Sequence, residues 1–217
     1  MNLAGTSLLS TQPENRAWHR AADASYLMSA IATKHTPVTP SRFYDPYSAA
    51  PQFATLYLSD DRIVALFEVQ ALFGSPTTPG GSISAPAGAW VSLAVQVQLR
   101  DIVDLTDTSS QAQLDLNVQE LTGDWRGFRQ RSLRTNVNVP TGIAAPTQEL
   151  GHAIYNDPRD LEGFLTLSAK VPHNRNLVVF PEHLQPGSFV EYQWTDTGGV
   201  RRKYRIDRSN PNGHLVP

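Results

Sequence analysis

From Val91 to Arg100 the chain alternates, with Val91, Leu93, Val95, Val97 and Leu99 on one parity and Ser92, Ala94, Gln96, Gln98 and Arg100 on the other. Successive side chains of a strand point to opposite faces, so a period of two gathers the five aliphatic residues on one face. A helix would scatter them around its circumference. The segment therefore reads as a strand whose sheet has a core on the aliphatic side. Its other face is left wet or lines a cleft.

Thr55 to Gly74 adds a second constraint, a strand that turns directly into a helix. Leu56, Tyr57 and Leu58 suit a pleated, half-buried surface. Ser59 predicts an N-cap, and Asp60 and Asp61 favour the positive end of the helix dipole. Gly74 marks the expected stop. Glu68 is out of pattern, because its neighbours three and four residues away are Val64, Ala65, Ala71 and Leu72. A carboxylate there sits at the edge of the buried face or is partly desolvated, and the pattern leaves both open.

The other elements follow from shorter signals. Residues 1–14 are small and polar, a tail or an extra edge, and residues 15–217 form the domain. Asn15–Ala22 reads as a first strand, and Asp23–Thr33 as a helix of about three turns. Pro37, Pro40, Pro46 and Pro51 punctuate a long loop that carries Ser41-Arg42-Phe43-Tyr44. Residues 74–89, rich in Gly, Ser and Pro, predict a mobile insertion. Asp104–Asp107 turns into a short helix over Gln111–Leu116, and Pro146 opens a helix that runs to Tyr155. Gly163–Ser168 and Asn176–Phe180 read as strands. Phe189–Trp194 and Arg201–Ile206 flank a hairpin turn at Asp196–Gly199. Strands dominate, without regular βαβ alternation, so the class is α+β.

Composition narrows the chemistry. With 217 residues, 40% of them hydrophobic, the chain can bury one ordinary core. A net charge of −2 argues against direct binding of nucleic acid. The cluster Arg126, Arg129, Arg131 and Arg134 then reads as a solvated face. There is no cysteine, which removes disulfides, zinc–thiolate sites and a thiol nucleophile, and suits a reducing, cytoplasmic home. No secretory signal is expected, and no apolar run approaches the roughly 18 residues of a membrane span. Dinucleotide-fingerprint, phosphate-loop and nucleophile-elbow motifs are missing. The six histidines lack zinc-ligand spacing, so no metal site is expected.

What remains is dispersed: Arg20 on the first strand, Arg42 in the proline-rich loop, Tyr57 and Glu68 in the strand–helix unit, Ser168 and Asn176 at strand ends. No pair of them makes a local motif. Their order and context, however, resemble the RES domain, the family of the toxins in RES–Xre toxin–antitoxin pairs. The resemblance runs from about Trp18 to Phe180. It rests on Ser41-Arg42-Phe43, where the family commonly has Gly-Arg-Trp, and on Leu56-Tyr57-Leu58-Ser59 followed by a helix with Glu68. It also rests on Thr147-Gln148-Glu149-Leu150-Gly151, and on Ser168-Ala169-Lys170 with Asn176 and Phe180 downstream. The chain departs from the pattern at Phe43, in the length of the 74–89 insertion, and after Phe180, where few features match.

The resemblance implies a fold similar to ADP-ribosyltransferase toxins, two β-sheets flanking a cleft with scattered helices. It implies NAD as substrate, with no further cofactor, and cleavage of the nicotinamide–ribose bond. Glu68 would then stabilise the oxocarbenium-like sugar. Arg20 and Arg42 would bind the phosphates, Tyr57 would stack or bond to a ribose, and Ser168 and Asn176 would fix nicotinamide or ribose. The implied partner is an Xre-type antitoxin, with room for a homodimer inside the toxin–antitoxin complex and with no membrane contact. A protein ADP-ribosyltransferase, or an NAD-binding module without turnover, stands as the alternative.

Overall fold

The alternating run is the middle of the longest strand, Trp90–Asp104, in the computed structural model, which describes residues 1–74, 78, 80–84, 88–126 and 144–216. The strands are β1 (Thr11–Asp23), β2 (Leu56–Ser59), β3 (Leu72–Gly74), β4 (Ser82–Ser84), β5 (Trp90–Asp104), β6 (Gly163–Leu167), β7 (Arg175–Val179), β8 (Phe189–Thr195), β9 (Arg201–Asp207) and β10 (Asn210–Val216). The helices are α1 (Arg62–Glu68), α2 (Thr108–Gln113), α3 (Val118–Thr122) and α4 (Pro146–Tyr155).

On β5 the alternation does what the pattern demands. Val95, Val97 and Leu99 are buried, while Ser92, Ala94, Gln96 and Arg100 are exposed. The strand is long enough to serve three neighbours. Its middle, Val95–Gln98, pairs with β8, its last residues pair in parallel with β6, and β1 runs antiparallel along almost its whole length. The sheet order is β1-β2-β7-β6-β5-β8-β9-β10 with an added β1–β5 pairing. Strands β1, β2, β7, β6 and β5 therefore close a five-stranded barrel, and β8, β9 and β10 extend from it.

Two sheets flanking a cleft were expected. Among the described residues the long strands instead form one sheet closed on itself, with β3–β4 as a separate ribbon. The difference arises because β1 and β5 are long enough to bend through the closure. Their register shifts between Gln12 and Glu14, at Pro13, which has no N–H to give the ladder.

One core cluster (Trp18, Val95, Val97, Leu99, Leu177, Tyr192, Ile206) runs from the barrel to the extension. A second (Phe43, Tyr44, Phe53, Leu121, Leu150, Phe164, Phe180) lies where the helices and the proline-rich loop cover the sheet.

Several local expectations shift. Residues 1–14 are not a loose tail. A 3-10 turn over Leu3–Leu8 buries Gly5 and Thr6, Leu9 is buried, and β1 already starts at Thr11. Asp23–Thr33 is not a three-turn helix but a 3-10 turn over Ala24–Ser29 that leaves Tyr26 and Met28 exposed. The Tyr192 hydroxyl intercepts it, accepting from Ala30 N–H and donating to the Leu27 carbonyl. Residues 82–84 of the expected mobile insertion are β4, paired with β3. Residues 75–77, 79 and 85–87 lie outside the described residues, as do Arg129, Arg131 and Arg134. The basic strand β9 is largely satisfied at home, with Arg202 on Asp196, Lys203 on Glu191, and Arg205 on Glu191 and Asp207. No helix among the described residues is long and apolar enough to cross a membrane.

Candidate active site

The turn from β2 into α1 holds three cap-competent residues in a row, and each is used differently. Asp61 takes the cap, its carboxylate accepting from Ile63 N–H at 2.7 Å and Val64 N–H at 3.3 Å. Asp60 accepts from Arg175 N–H at 2.9 Å and the Asn174 amide at 3.1 Å, tying the turn to the start of β7. Ser59, the expected cap, donates to Asn176 Oδ1 at 2.8 Å. The helix ends at Glu68, not at Gly74. Gln70 takes the left-handed conformation (φ 60°) that the glycine was expected to supply.

This short helix sets Glu68 against the ends of β6 and β7. Glu68 Oε1 accepts from Ser168 Oγ at 2.6 Å and from Asn176 Nδ2 at 2.8 Å. Both donors are fixed from behind. The Ser168 oxygen accepts from the Lys170 and Val171 N–H groups, so its one proton goes to the carboxylate. The Ser59 hydroxyl on Asn176 Oδ1 leaves the amide nitrogen facing Glu68. Among the described residues no hydrogen bond reaches the second carboxylate oxygen. Glu68 lines a cleft of about 710 Å³, so that oxygen is the free one.

Arg20, Arg42, Tyr57 and Asn176 line the same cleft. Ser168 is buried and meets it through Glu68. The Tyr57 hydroxyl is 2.7 Å from Ser41 Oγ and accepts from Phe43 N–H at 3.2 Å. Burial pushes its pKa up to about 12, so it stays protonated. Arg42 donates to the carbonyls of Leu121 at 3.2 Å and Gly123 at 2.6 Å, and Arg20 to that of Tyr57 at 2.8 Å. Neither guanidinium has a carboxylate within ion-pair distance among the described residues. Burial lowers both pKa values, and at Arg42 the nearby Glu68 opposes the shift. Two half-desolvated cations and one half-used carboxylate thus face one cavity, which suits an anionic ligand that develops positive charge. The described residues contain no cluster of three or more His, Asp or Glu able to hold a metal.

A comparison with protein families matches residues 17–197 to the RES domain. The chain belongs to the RES domain family. No curated protein matches it. Among solved structures, this RES domain is similar to a chain of the crystal structure of the M. tuberculosis MbcT–MbcA toxin–antitoxin complex. The TM-score is 0.60 at 18% identity, over 95% of this chain and 92% of that one. At that identity the likeness speaks for the fold.

The cleft of this RES domain also has walls that the sequence did not advertise. His19, Thr122, Asp124, Trp125, Arg126, Thr166 and Lys170 all line it. The Arg126 guanidinium lies 5.4 Å from the Trp125 ring. Thr166 is opposite Asn176 in the β6–β7 register, with a buried hydroxyl that finds no partner among the described residues. Of these, Lys170 lay in a segment that the resemblance had marked, and Arg126 in the basic cluster, whose pattern pointed it to solvent.

Proposed function

We propose that this RES domain is a toxin of a toxin–antitoxin pair that cleaves the nicotinamide–ribose bond of NAD. The observation that carries the reading is the state of Glu68. One of its oxygens is held by two neutral donors, and the other is left to a cleft whose wall also carries Arg20 and Arg42.

In this reading the arginines grip the diphosphate with the N–H groups their carbonyl acceptors leave free. The ribose lies over Glu68. As the glycosidic bond lengthens, positive charge grows on the sugar, and a carboxylate preorganised in a poorly solvated site stabilises it. Ser168 and Asn176 keep that carboxylate from rotating as the charge builds. Neutral Tyr57 serves as a packing and hydrogen-bonding surface rather than a base. The cleft volume falls within the range of about 300–1,000 Å³ common for small-molecule sites. The closed barrel takes the part that the ADP-ribosyltransferase-like pair of sheets was expected to play. An Xre-type antitoxin that covers the cleft would keep the enzyme inactive in its own cell.

The test is incubation of the purified chain with NAD, water or phosphate being offered as acceptor, with products separated by chromatography and weighed by mass spectrometry. Release of nicotinamide, together with ADP-ribose or its phosphorylated form, supports the reading and names the acceptor. NAD recovered intact, with the antitoxin removed and the fold verified, overturns it.

A further inference from the structure

Helix α4 lies outside the cleft, yet one of its side chains governs the turn that carries Arg42. Gln148 is 5% exposed. Its Nε2 donates to the carbonyls of Ser41 at 2.9 Å and Tyr44 at 3.1 Å, and its Oε1 accepts from Ala145 N–H at 2.8 Å. Only one amide orientation satisfies an N–H on one side and two carbonyls on the other, so the network fixes it. Ser41 and Tyr44 also bond to each other through their backbones, Ser41 N–H to Tyr44 carbonyl at 2.9 Å and the reverse at 3.4 Å. The Gln148 amide closes that narrow turn from outside.

Three residues on, the same helix face meets the same turn. At Gly151 an added Cβ would stand 1.9 Å from the Phe43 carbonyl oxygen, so only glycine lets the helix come this close. Between these two contacts the turn has one course. It sends the Phe43 ring into the core, edge-on to Phe164 at 4.9 Å. It sends Arg42 the other way, to the cleft and the carbonyls of Leu121 and Gly123. It also sets Ser41 Oγ and Phe43 N–H, the two groups that hold the Tyr57 hydroxyl.

We infer that Gln148 is a positioning residue for the reaction. It touches no substrate, and through the Ser41–Tyr44 turn it places both Arg42 and Tyr57. This rests on the reading of the cleft as the NAD site.

Gln148→Met keeps the length and loses all three hydrogen bonds. Two measurements on the full-length chain separate the inference from the reading beneath it. The first is amide hydrogen exchange over the peptide containing residues 41–44, without ligand. The variant is expected to exchange much faster there, with β5 and β7 unchanged. The second is steady-state kinetics with NAD. A misplaced phosphate ligand weakens binding in ground and transition states alike, so KM is expected to rise about tenfold with kcat within about threefold. Because Gln148 acts in part through Arg42, adding Gln148→Met to Arg42→Ala should cost less than the sum of the two single losses, the remainder being the share carried by Tyr57.

Unchanged exchange in the turn overturns the positioning role whatever the enzyme does. So do fully additive losses in the double variant. If exchange rises while parent and variant alike leave NAD untouched, the clamp stands and the NAD reading falls. Should Gln148→Met fail to fold, Gln148→Ala, which leaves room for water at the two carbonyls, carries the same measurements.

Discussion

The two ends of strand β6 use charge in opposite ways. Just before it, Glu162 is fully buried and spent. Its Oε2 accepts from the N–H groups of Arg100 and of Asp101 (3.0 Å for the latter), and its Oε1 from Gln185 N–H at 2.7 Å. Nearby, Arg159 grips Asp157 and reaches the carbonyls of Leu9 at 2.6 Å and Thr6 at 2.7 Å, which is what packs the N-terminal segment onto the barrel. Just after β6, Ser168 and Asn176 satisfy one oxygen of Glu68, and among the described residues Arg20 and Arg42 bond only to carbonyls. A carboxylate with both oxygens bonded is a fastener. One with a whole oxygen left over in a cleft is available for chemistry. Glu162 is fully buried and Glu68 half-buried, and the number of carboxylate oxygens already bonded separates them further.

The sharpest way to break this contrast is to remove each carboxylate. Glu162→Ala strands the three N–H donors that the buried carboxylate holds, so it should cost about 3–5 kcal/mol of stability. Chemical denaturation reads that loss. Whatever fraction stays folded should turn over NAD at the parental rate. Glu68→Gln should do the reverse, losing about 10²–10³ in kcat with little change in stability, since a glutamine Oε1 still accepts from Ser168 and Asn176. Glu68→Gln that keeps its rate, or Glu162→Ala that folds as well as the parent, would erase the distinction.

The fastener end and the reactive end differ also in how far the sequence betrays them. The strand content was legible, because the β5 alternation and the β8–β9 hairpin are local patterns. The barrel closure was not, since β1 ends at Asp23 and β5 begins at Trp90, a separation that no local window joins. At the β2–α1 turn, Ser59, Asp60 and Asp61 are all competent caps. Which one caps was settled by Asn176 and Arg175, more than a hundred residues away. Glu68 stood out because it breaks an apolar surround. Its partners Ser168 and Asn176 came from the family resemblance, and Trp125, Thr166 and Gln148 had no site signal of their own. Gln148 and Gly151 sit within a segment that the resemblance had marked, and their contacts with the Arg42 turn give that marking a physical cause.

A smaller effect tests whether the donors behind Glu68 matter as a set. Ser59 lines the cleft without bonding to the carboxylate. It holds the Asn176 amide so that nitrogen rather than oxygen faces Glu68. Ser59→Ala frees that amide to rotate and present oxygen to oxygen. The loss of one hydrogen bond of about 0.5–1.5 kcal/mol should appear mainly in kcat, as roughly a three- to tenfold fall, with KM nearly unchanged. A matching loss in thermal stability with kcat intact would move Ser59 to the fastener class.

The smallest effect concerns pH, and it separates the two ends by sign and by observable. At the fastener end, hydrogen bonds from Arg159 hold the Asp157 carboxyl below its ordinary value of 3.8. A folded pKa below the unfolded one contributes stability that is fully present above about pH 4. It is lost as pH falls through the folded value. Asp157→Asn keeps the shape, removes the charge and takes no part in that titration. The variant should therefore melt lower than the parent at neutral pH, by about 1 kcal/mol, or roughly 2–4 °C for a chain of this length. The gap should close as pH drops below about 4, where the parent's carboxyl also becomes neutral. At the reactive end Tyr57, pushed up to about 12, keeps its proton throughout this window, so turnover per folded molecule should show no limb from it below about pH 10. Melting curves of parent and variant from pH 3 to 8, with NAD turnover measured on the folded fraction, read both ends at once. A gap that persists unchanged at pH 3 would mean that the Asp157 charge adds nothing beyond its shape.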